Sequence, residues 1–208
     1  MTLEKSCEIR LPGEICLPVL ETERLVLRTP RLEDAAAIAA LADDPAIAIN
    51  TALIPNPYRK QDAEAWIAQV ATLDDDGATF GLYLKGRDIF IGACGLNRLD
   101  GVFHLGYWLG APYRDGGLAT EAARAVIDFA FARLKQPEIT SAARVTNAAS
   151  RRVLEKCGFQ WTGVGLTRVK ALAASVPVDR FRLDRKTWAS LRAWGAVPLA
   201  DGPSMRMA

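Results

Sequence analysis

The sequence predicts a mixed α/β domain in which helices pack on one central sheet. Helical apolar periodicity appears before, inside and after a run of short strands. The strands between residues 79 and 109 follow one another through tight turns, which is the pattern of an antiparallel meander. No self-similar period of about 20 to 50 residues interrupts this order, so a repeat array is excluded.

Each element has its own local warrant. Leu25-Val26-Leu27 is a short strand. Thr29-Pro30 is expected to cap the next helix, because proline at the first helical position loses no hydrogen bond. That helix turns Ala35, Ile38, Ala39, Leu41 and Ala42 inward and ends near Asp43-Asp44-Pro45. Pro55-Asn56-Pro57 marks a loop, and Ala63, Trp66, Ile67 and Val70 define a second helix. Asp74-Asp75-Asp76-Gly77 ends it as a surface loop. Thr79 to Leu84, Ile89 to Cys94 and Phe103 to Leu109 are the meander strands. The longest helix runs from Leu118 to Leu134, with Ala122, Ala125, Val126, Phe129 and Leu134 on one stripe. A strand from Ile139 to Val145 and a helix from Ala148 to Cys157 follow. Strand-like pieces close the domain at residues 159 to 161, 167 to 171 and 178 to 183. Residues 1 to 21 read as an irregular arm and 198 to 208 as a frayed tail, around a single domain whose core spans about 22 to 190.

Composition narrows the function classes. The chain has 208 residues, and 26 basic groups against 24 acidic ones leave a formal charge of +2. Nucleic-acid binders concentrate positive charge, whereas these arginines are spread along the chain, so direct nucleic-acid binding is not expected. No apolar window reaches the ~20 residues of a membrane span. Cys7, Cys16, Cys94 and Cys157 form no CxxC pair, and one histidine cannot complete a zinc framework. With no signal-peptide pattern at the start, cytoplasmic residence with reduced thiols is the expectation.

The segment with most chemical content runs from Gly106 to Ala122. It carries a strand into a loop of small residues and then into the longest helix. The first turn of a helix has unpaired amides and the positive end of the dipole. Small residues at Gly116, Gly117 and Ala119 let a pyrophosphate approach that backbone, and Arg114 adds positive charge. The segment is neither a P-loop nor a GxGxxG fingerprint; a structural turn is the alternative reading.

Arg114-Asp115-Gly116-Gly117-Leu118-Ala119 matches the Arg/Gln-x-x-Gly-x-Gly/Ala loop of the GCN5-related N-acetyltransferase (GNAT) superfamily. Thr120-Glu121-Ala122 resembles the extension found in its Rim-type members, which acetylate protein N-termini or small amines. Residues 147 to 159 resemble the family's Asn-x-x-Ser-x-x-Val/Leu-x-Glu-Lys-x-Gly-Phe block, and Glu23-Arg24-Leu25-Val26-Leu27-Arg28 its opening strand. The resemblance implies a central, mostly antiparallel mixed sheet splayed between its fourth and fifth strands, flanked by helices, with acetyl-CoA in the gap. It further implies that amides from Gly116 to Thr120, including Leu118 and Ala119, hold the pyrophosphate. Strand backbone near Trp108 and Leu109 would align the pantetheine arm, with Asn147 and Ser150 on the opposite wall. Asp115 departs from the expected chemistry, since a carboxylate there repels phosphate unless it points outward or pairs with an arginine.

The implied reaction is direct acetyl transfer from a thioester to an amine. His104, the only imidazole, stands where Rim-type relatives often carry glutamate, and it is the candidate base. Strand alternation puts it on the face of Gly106 and Trp108, opposite Leu105, Tyr107 and Leu109. Ser150 is the candidate donor to the leaving thiolate, with a helix-start role as the alternative. Asn147 is a candidate for fixing a water or the pantetheine amides, or else caps its helix. Tyr107 and Tyr113 read as packing residues, with the acid role that a tyrosine fills elsewhere in the family as the alternative, and Cys157 reads as buried packing in preference to an acetyl-accepting nucleophile. Arg151-Arg152 is a candidate contact for the 3′-phosphate or a solvated helix face. The acceptor is expected to be a peptide or protein α-amine, with a small metabolite or drug amine as alternative. A non-catalytic acyl-CoA-binding module is the rival from another class. Oligomeric state stays open between monomer and homodimer.

Overall fold

Among the residues described by the computed structural model, 17–71 and 77–196, eight strands form one sheet in the order β1-β2-β3-β4-β5-β6-β8-β7. They are β1 (Leu20–Glu21), β2 (Leu25–Arg28), β3 (Gly77–Leu84), β4 (Ile89–Leu99), β5 (Val102–Leu109), β6 (Glu138–Arg144), β7 (Gln160–Val169) and β8 (Ala174–Asp184). All neighbours run antiparallel except β5 and β6. The sheet is therefore mixed and mostly antiparallel, as expected. The first 16 residues of the arm, the acidic run at 74 to 76 and the tail from 198 lie outside the described residues.

Alternation sends the two faces of the sheet into different cores. Leu25, Leu27, Phe80, Leu82, Leu96, Phe103, Leu105 and Leu109 meet α4 (Leu118–Ala132) and α5 (Ala148–Lys156) on one face. Phe80 meets Phe129 of α4 edge-to-face with ring centroids 5.6 Å apart, a pairing that contributes about 1 kcal/mol beyond its area. On the other face Tyr83 and Phe90, with Val26 and Trp108, pack on α1 (Ala35–Ala42) and α3 (Lys60–Val70).

Two local expectations need correction, and one element was not anticipated. The Thr29-Pro30 cap does not form. The chain stays extended through Arg31, whose amide is accepted by Asp34 Oδ2 at 2.7 Å, and a single 3-10 turn at Leu32–Asp34 leads into α1. Asp34 Oδ2 also accepts from the Tyr83 hydroxyl at 2.6 Å and from Arg28, so the start of α1 is fixed by the sheet beneath it. The terminal strand pieces are longer than their apolar content indicates: β7 and β8 pair continuously, with a bulge between Trp161 and Gly163. A closing helix, α6 (Arg185–Ala196), was not among the expected elements. Asp184 Oδ1 accepts the Thr187 amide at its start, and Trp188 stacks on Phe131 at 5.1 Å. A short α2 (Pro45–Ala48) is capped by Asp44, which accepts the Ala46 amide at 2.8 Å.

Candidate active site

The loop after β5 is built to present backbone amides. Leu109 and Gly110 leave the sheet, a 3-10 turn spans Ala111–Tyr113, and the chain turns at Asp115 (φ 63°) and Gly117 (φ 77°) before α4 begins. Gly117 is the helix N-cap in the left-handed region, where a side chain is strained. Gly116, Gly117 and Asp115 are exposed. The amides of Leu118, Ala119 and Thr120 have no partner within the helix, because the first helical acceptor, the Gly117 carbonyl, serves Glu121.

The basic residue beside these amides is Arg24. It donates to the Gly116 carbonyl at 2.9 Å, and its Nη2 lies 3.6 Å from where a Gly117 Cβ would be. Glu121, in the first turn of α4, holds it at 2.7 Å and also accepts from Thr22 Oγ1 and the Arg24 amide. Burial raises the Glu121 pKa, but the hydrogen bonds from Thr22 and Arg24 and the arginine charge more than offset this, leaving it below the ordinary carboxylate value. Arg114 instead donates through Nε to the Leu109 carbonyl at 3.0 Å and pairs with Asp44 at 2.6 Å, so it ties the loop to α2. Asp44 sits below its usual range: burial pushes it up, and the Ala46 amide and Arg114 outweigh that.

Next to the loop, the sheet opens. β5 and β6 pair only at Phe103/Ile139 and His104/Thr140. Counted from Leu25–Arg28, these are the fourth and fifth strands, and the two-residue β1 precedes them. The Ser141 hydroxyl makes one more link, to the Leu105 carbonyl at 2.9 Å. Gly110 donates back to Ile91 on the β4 side, whereas the carbonyls of Phe103, Leu105 and Leu109 accept from the other side. By alternation the Tyr107 and Leu109 amides face the gap, and Trp108 turns its backbone toward Ala93. The Trp108 ring packs on the α1/α3 face, tilted against Phe90 at 5.8 Å. A Cβ at Gly106 would meet nothing within 4 Å.

One wall of the gap gathers three of the residues singled out in the sequence. The Asn147 side chain accepts the Ser150 amide at 3.1 Å and caps α5. The Tyr107 hydroxyl lies 2.9 Å from Ser150 Oγ and 3.0 Å from its carbonyl. Burial pushes the Tyr107 pKa well up, so its proton stays on the phenol at neutral pH. The sequence favoured packing for Tyr107, with an acid role as the alternative. Cys157 is buried at the end of α5, with its thiol pushed up to about 11 by burial, which suits packing. Arg151 bonds Glu155 at 2.9 Å and Asp179 at 3.2 Å.

His104 lies on the other face. Its Nδ1 is 3.2 Å from Thr140 Oγ1, whose hydroxyl also donates to the Phe103 carbonyl at 3.4 Å. When the Thr140 hydroxyl donates to Phe103, Nδ1 carries the imidazole proton and Nε2 the lone pair. Burial lowers the His104 pKa, which keeps the ring neutral. The structure thus brings Asn147, Ser150 and Tyr107 together, and places His104 across the sheet from them at the base of the opening. Among the described residues no group of three metal-ligating side chains forms, and no helix is long and apolar enough to cross a membrane.

The family model described as an acetyltransferase (GNAT) domain matches residues 24–160. The chain belongs to the GNAT acetyltransferase family. A Bacillus licheniformis relative, named as an uncharacterized N-acetyltransferase p20, is 30% identical over 178 residues, covering 83% of this chain and 99% of its own. The fold resembles that of a GNAT-family acetyltransferase from Bacillus anthracis, with a TM-score of 0.71, 22% identity and coverage of 81% and 99% of the two chains. It also resembles Mycobacterium smegmatis RimJ, solved in complex with CoA-disulfide, with a TM-score of 0.67, 20% identity and coverage of 82% and 89%. For this GNAT domain, acetyl-CoA-dependent acetyl transfer is the general activity. The Arg24–Glu121 latch was not legible in advance as a unit. Its halves sit in two separate blocks of the sequence, and only the fold joins them.

Proposed function

We propose that the protein transfers the acetyl group of acetyl-CoA directly to a primary amine, most suitably the α-amine of a peptide or protein, in the opening between β5 and β6. The observation that carries this reading is the parting of the two strands beside the free amides of α4, with Ser150 and Tyr107 on one wall and His104 on the other face. Unpaired amides at Leu118, Ala119 and Thr120, exposed glycines and the helix dipole suit a pyrophosphate. The unpaired Tyr107 and Leu109 amides suit an amide-bearing pantetheine arm. The solved complex of RimJ with CoA-disulfide supports the same assignment.

The thioester supplies an activated acetyl carbon and a thiolate leaving group. A C–N bond forms as the C–S bond breaks. His104 Nε2 takes a proton from the acceptor ammonium, directly or through a water, to free the nitrogen lone pair. With the Tyr107 proton directed to the Ser150 carbonyl, Ser150 Oγ donates to the Tyr107 oxygen at rest and turns its proton toward the departing sulfur as the C–S bond breaks. Asn147 fixes Ser150 by capping the turn that carries it. Holding both substrates in one slot supplies a large share of the rate gain.

The buried free thiols Cys94 and Cys157 suit a reducing compartment, and we place the reaction in the cytoplasm. The reading is tested by incubating the purified protein with acetyl-CoA and a mixture of peptides, polyamines and small amines, followed by mass spectrometry. Mono-acetylated peptide α-amines are expected. Acetylation confined to small amines would move the acceptor to that class, and no acetylation of any amine would contradict the activity.

A further inference from the structure

The face of the sheet that carries His104 also carries positive charge without a carboxylate partner. Alternation along β6 puts Thr140, Ala142 and Arg144 on this face, and register places Arg182 opposite Thr140 and Arg180 opposite Ala142. The acidic groups on this side are already engaged. Glu138 accepts from Arg182 at 2.9 Å, Asp184 lies 3.8 Å from Arg182, and Asp44 is held by Arg114. Arg144 is half-buried and donates to the Ile49 carbonyl at 3.0 Å, with no carboxylate in ion-pair range among the described residues. Arg180 has no such partner either, and its guanidinium lies over Gly165, where an added Cβ would meet Nε, Cζ and Nη2 at 2.6 Å or closer. The arginine therefore leans along β7 toward the end at which β5 and β6 part. The Lys170 amide donates to the Ala52 carbonyl at 2.9 Å, so the turn after β7 and the segment that holds Ile49 meet at this end of the sheet.

The half-buried charge of Arg144 costs desolvation unless an anion compensates it, and the exposed Arg180 guanidinium can reach the same anion from the solvent side. We propose that the acceptor is an acidic peptide, with a carboxylate close behind its α-amine held by Arg144 and Arg180 while the amine reaches His104. The inference rests on the acetyltransferase reading above and names the acceptor class for that same site. It accounts for a glycine at 165, which leaves room for the Arg180 side chain. It also sets a charge preference opposite to that of a polyamine site, which would need carboxylates on this face.

The test compares kcat/KM for peptides that differ only at the second and third residues, as Glu-Glu, Gln-Gln or Lys-Lys. The acidic peptide is expected to exceed the neutral one by about tenfold and the basic one by more, with the advantage shrinking as salt rises. In Arg144→Gln the acidic-to-neutral ratio should fall toward one. In Gly165→Ala, which displaces Arg180 without removing charge, it should fall partway. Because the readout is a ratio within each variant, a loss of folded fraction does not imitate it. Acetylation without charge discrimination, or a preference for Lys-Lys, overturns this inference and leaves the acetyltransferase reading intact. No acetylation of any of these peptides overturns the inference too, and assay of small amines with acetyl-CoA then decides whether the acetyltransferase reading falls with it.

Discussion

The Tyr107 hydroxyl sits 2.9 Å from Ser150 Oγ, joining β5 to the first turn of α5 on one wall of the opening in the sheet. The contact gives the serine a defined proton path. It also makes the two hydroxyls a unit, so removing either one should remove the function of both.

Ser150→Ala and Tyr107→Phe should each lower kcat by about 10- to 100-fold, the range of a lost proton donor, with a smaller change in KM for acetyl-CoA. The double variant should be scarcely worse than the weaker single, and additive losses would separate the two hydroxyls. Steady-state kinetics at saturating acceptor checks both statements.

His104 sets an expected pH dependence. Burial lowers its pKa from the ordinary 6.5, so the acid limb of kcat/KM should inflect below that value, with activity rising as the ring loses its proton. Between the lowered native value and 6.5 the unfolded chain binds more protons than the native one, so this residue reduces stability as pH falls through that window. His104→Gln should lose the acid limb and flatten the stability change together. An unchanged pH–rate profile would remove His104 from proton transfer.

The latch of Arg24 and Glu121 gives a third expectation. Arg24 is about half exposed, so the pair contributes under about 1 kcal/mol to folding. Its larger effect is on the loop, through the bond to the Gly116 carbonyl. Arg24→Ala and Glu121→Gln should both weaken CoA binding by several-fold, with at most a small shift in Tm. Equal CoA affinity in all three proteins, by calorimetric titration, would assign the latch to folding alone.

Gly117→Val places a β-branched residue at φ 77° and should cost about 1–2 kcal/mol while weakening CoA binding. Gly116→Ala, where a Cβ meets nothing within 4 Å, should be tolerated for stability. Thermal unfolding and CoA titration of the two variants separate backbone strain from steric exclusion.

The legible parts of this fold were those written in local pattern. The meander of β3, β4 and β5 showed itself through alternation and tight turns, and α4 through its buried stripe. The two faces of β5 followed from the pleat, which placed His104 apart from Tyr107. What stayed hidden depends on partners distant in sequence. The start of α1 is decided by Asp34 bonding Arg28 and Tyr83, not by Thr29. α6 is anchored by Trp188 stacking on Phe131 and bonding Asp128, contacts that reach back to α4. At the site, Gly116 and Gly117 mark the loop in one dimension. The basic group beside them, Arg24, comes from the bend before β2, 92 residues earlier than Gly116, and the expected Arg114 is drawn to Asp44.

The most direct test of the account is amide hydrogen exchange of the protein with and without acetyl-CoA. The account requires slower exchange in two places at once: the loop and first turn of α4, from Gly116 to Thr120, and the strand backbone at Tyr107 and Leu109 that faces the gap. Protection at both, with little change in α1 and α3, is the expected result. Protection elsewhere on the sheet, or none at saturating acetyl-CoA, would contradict the placement of the thioester between β5 and β6.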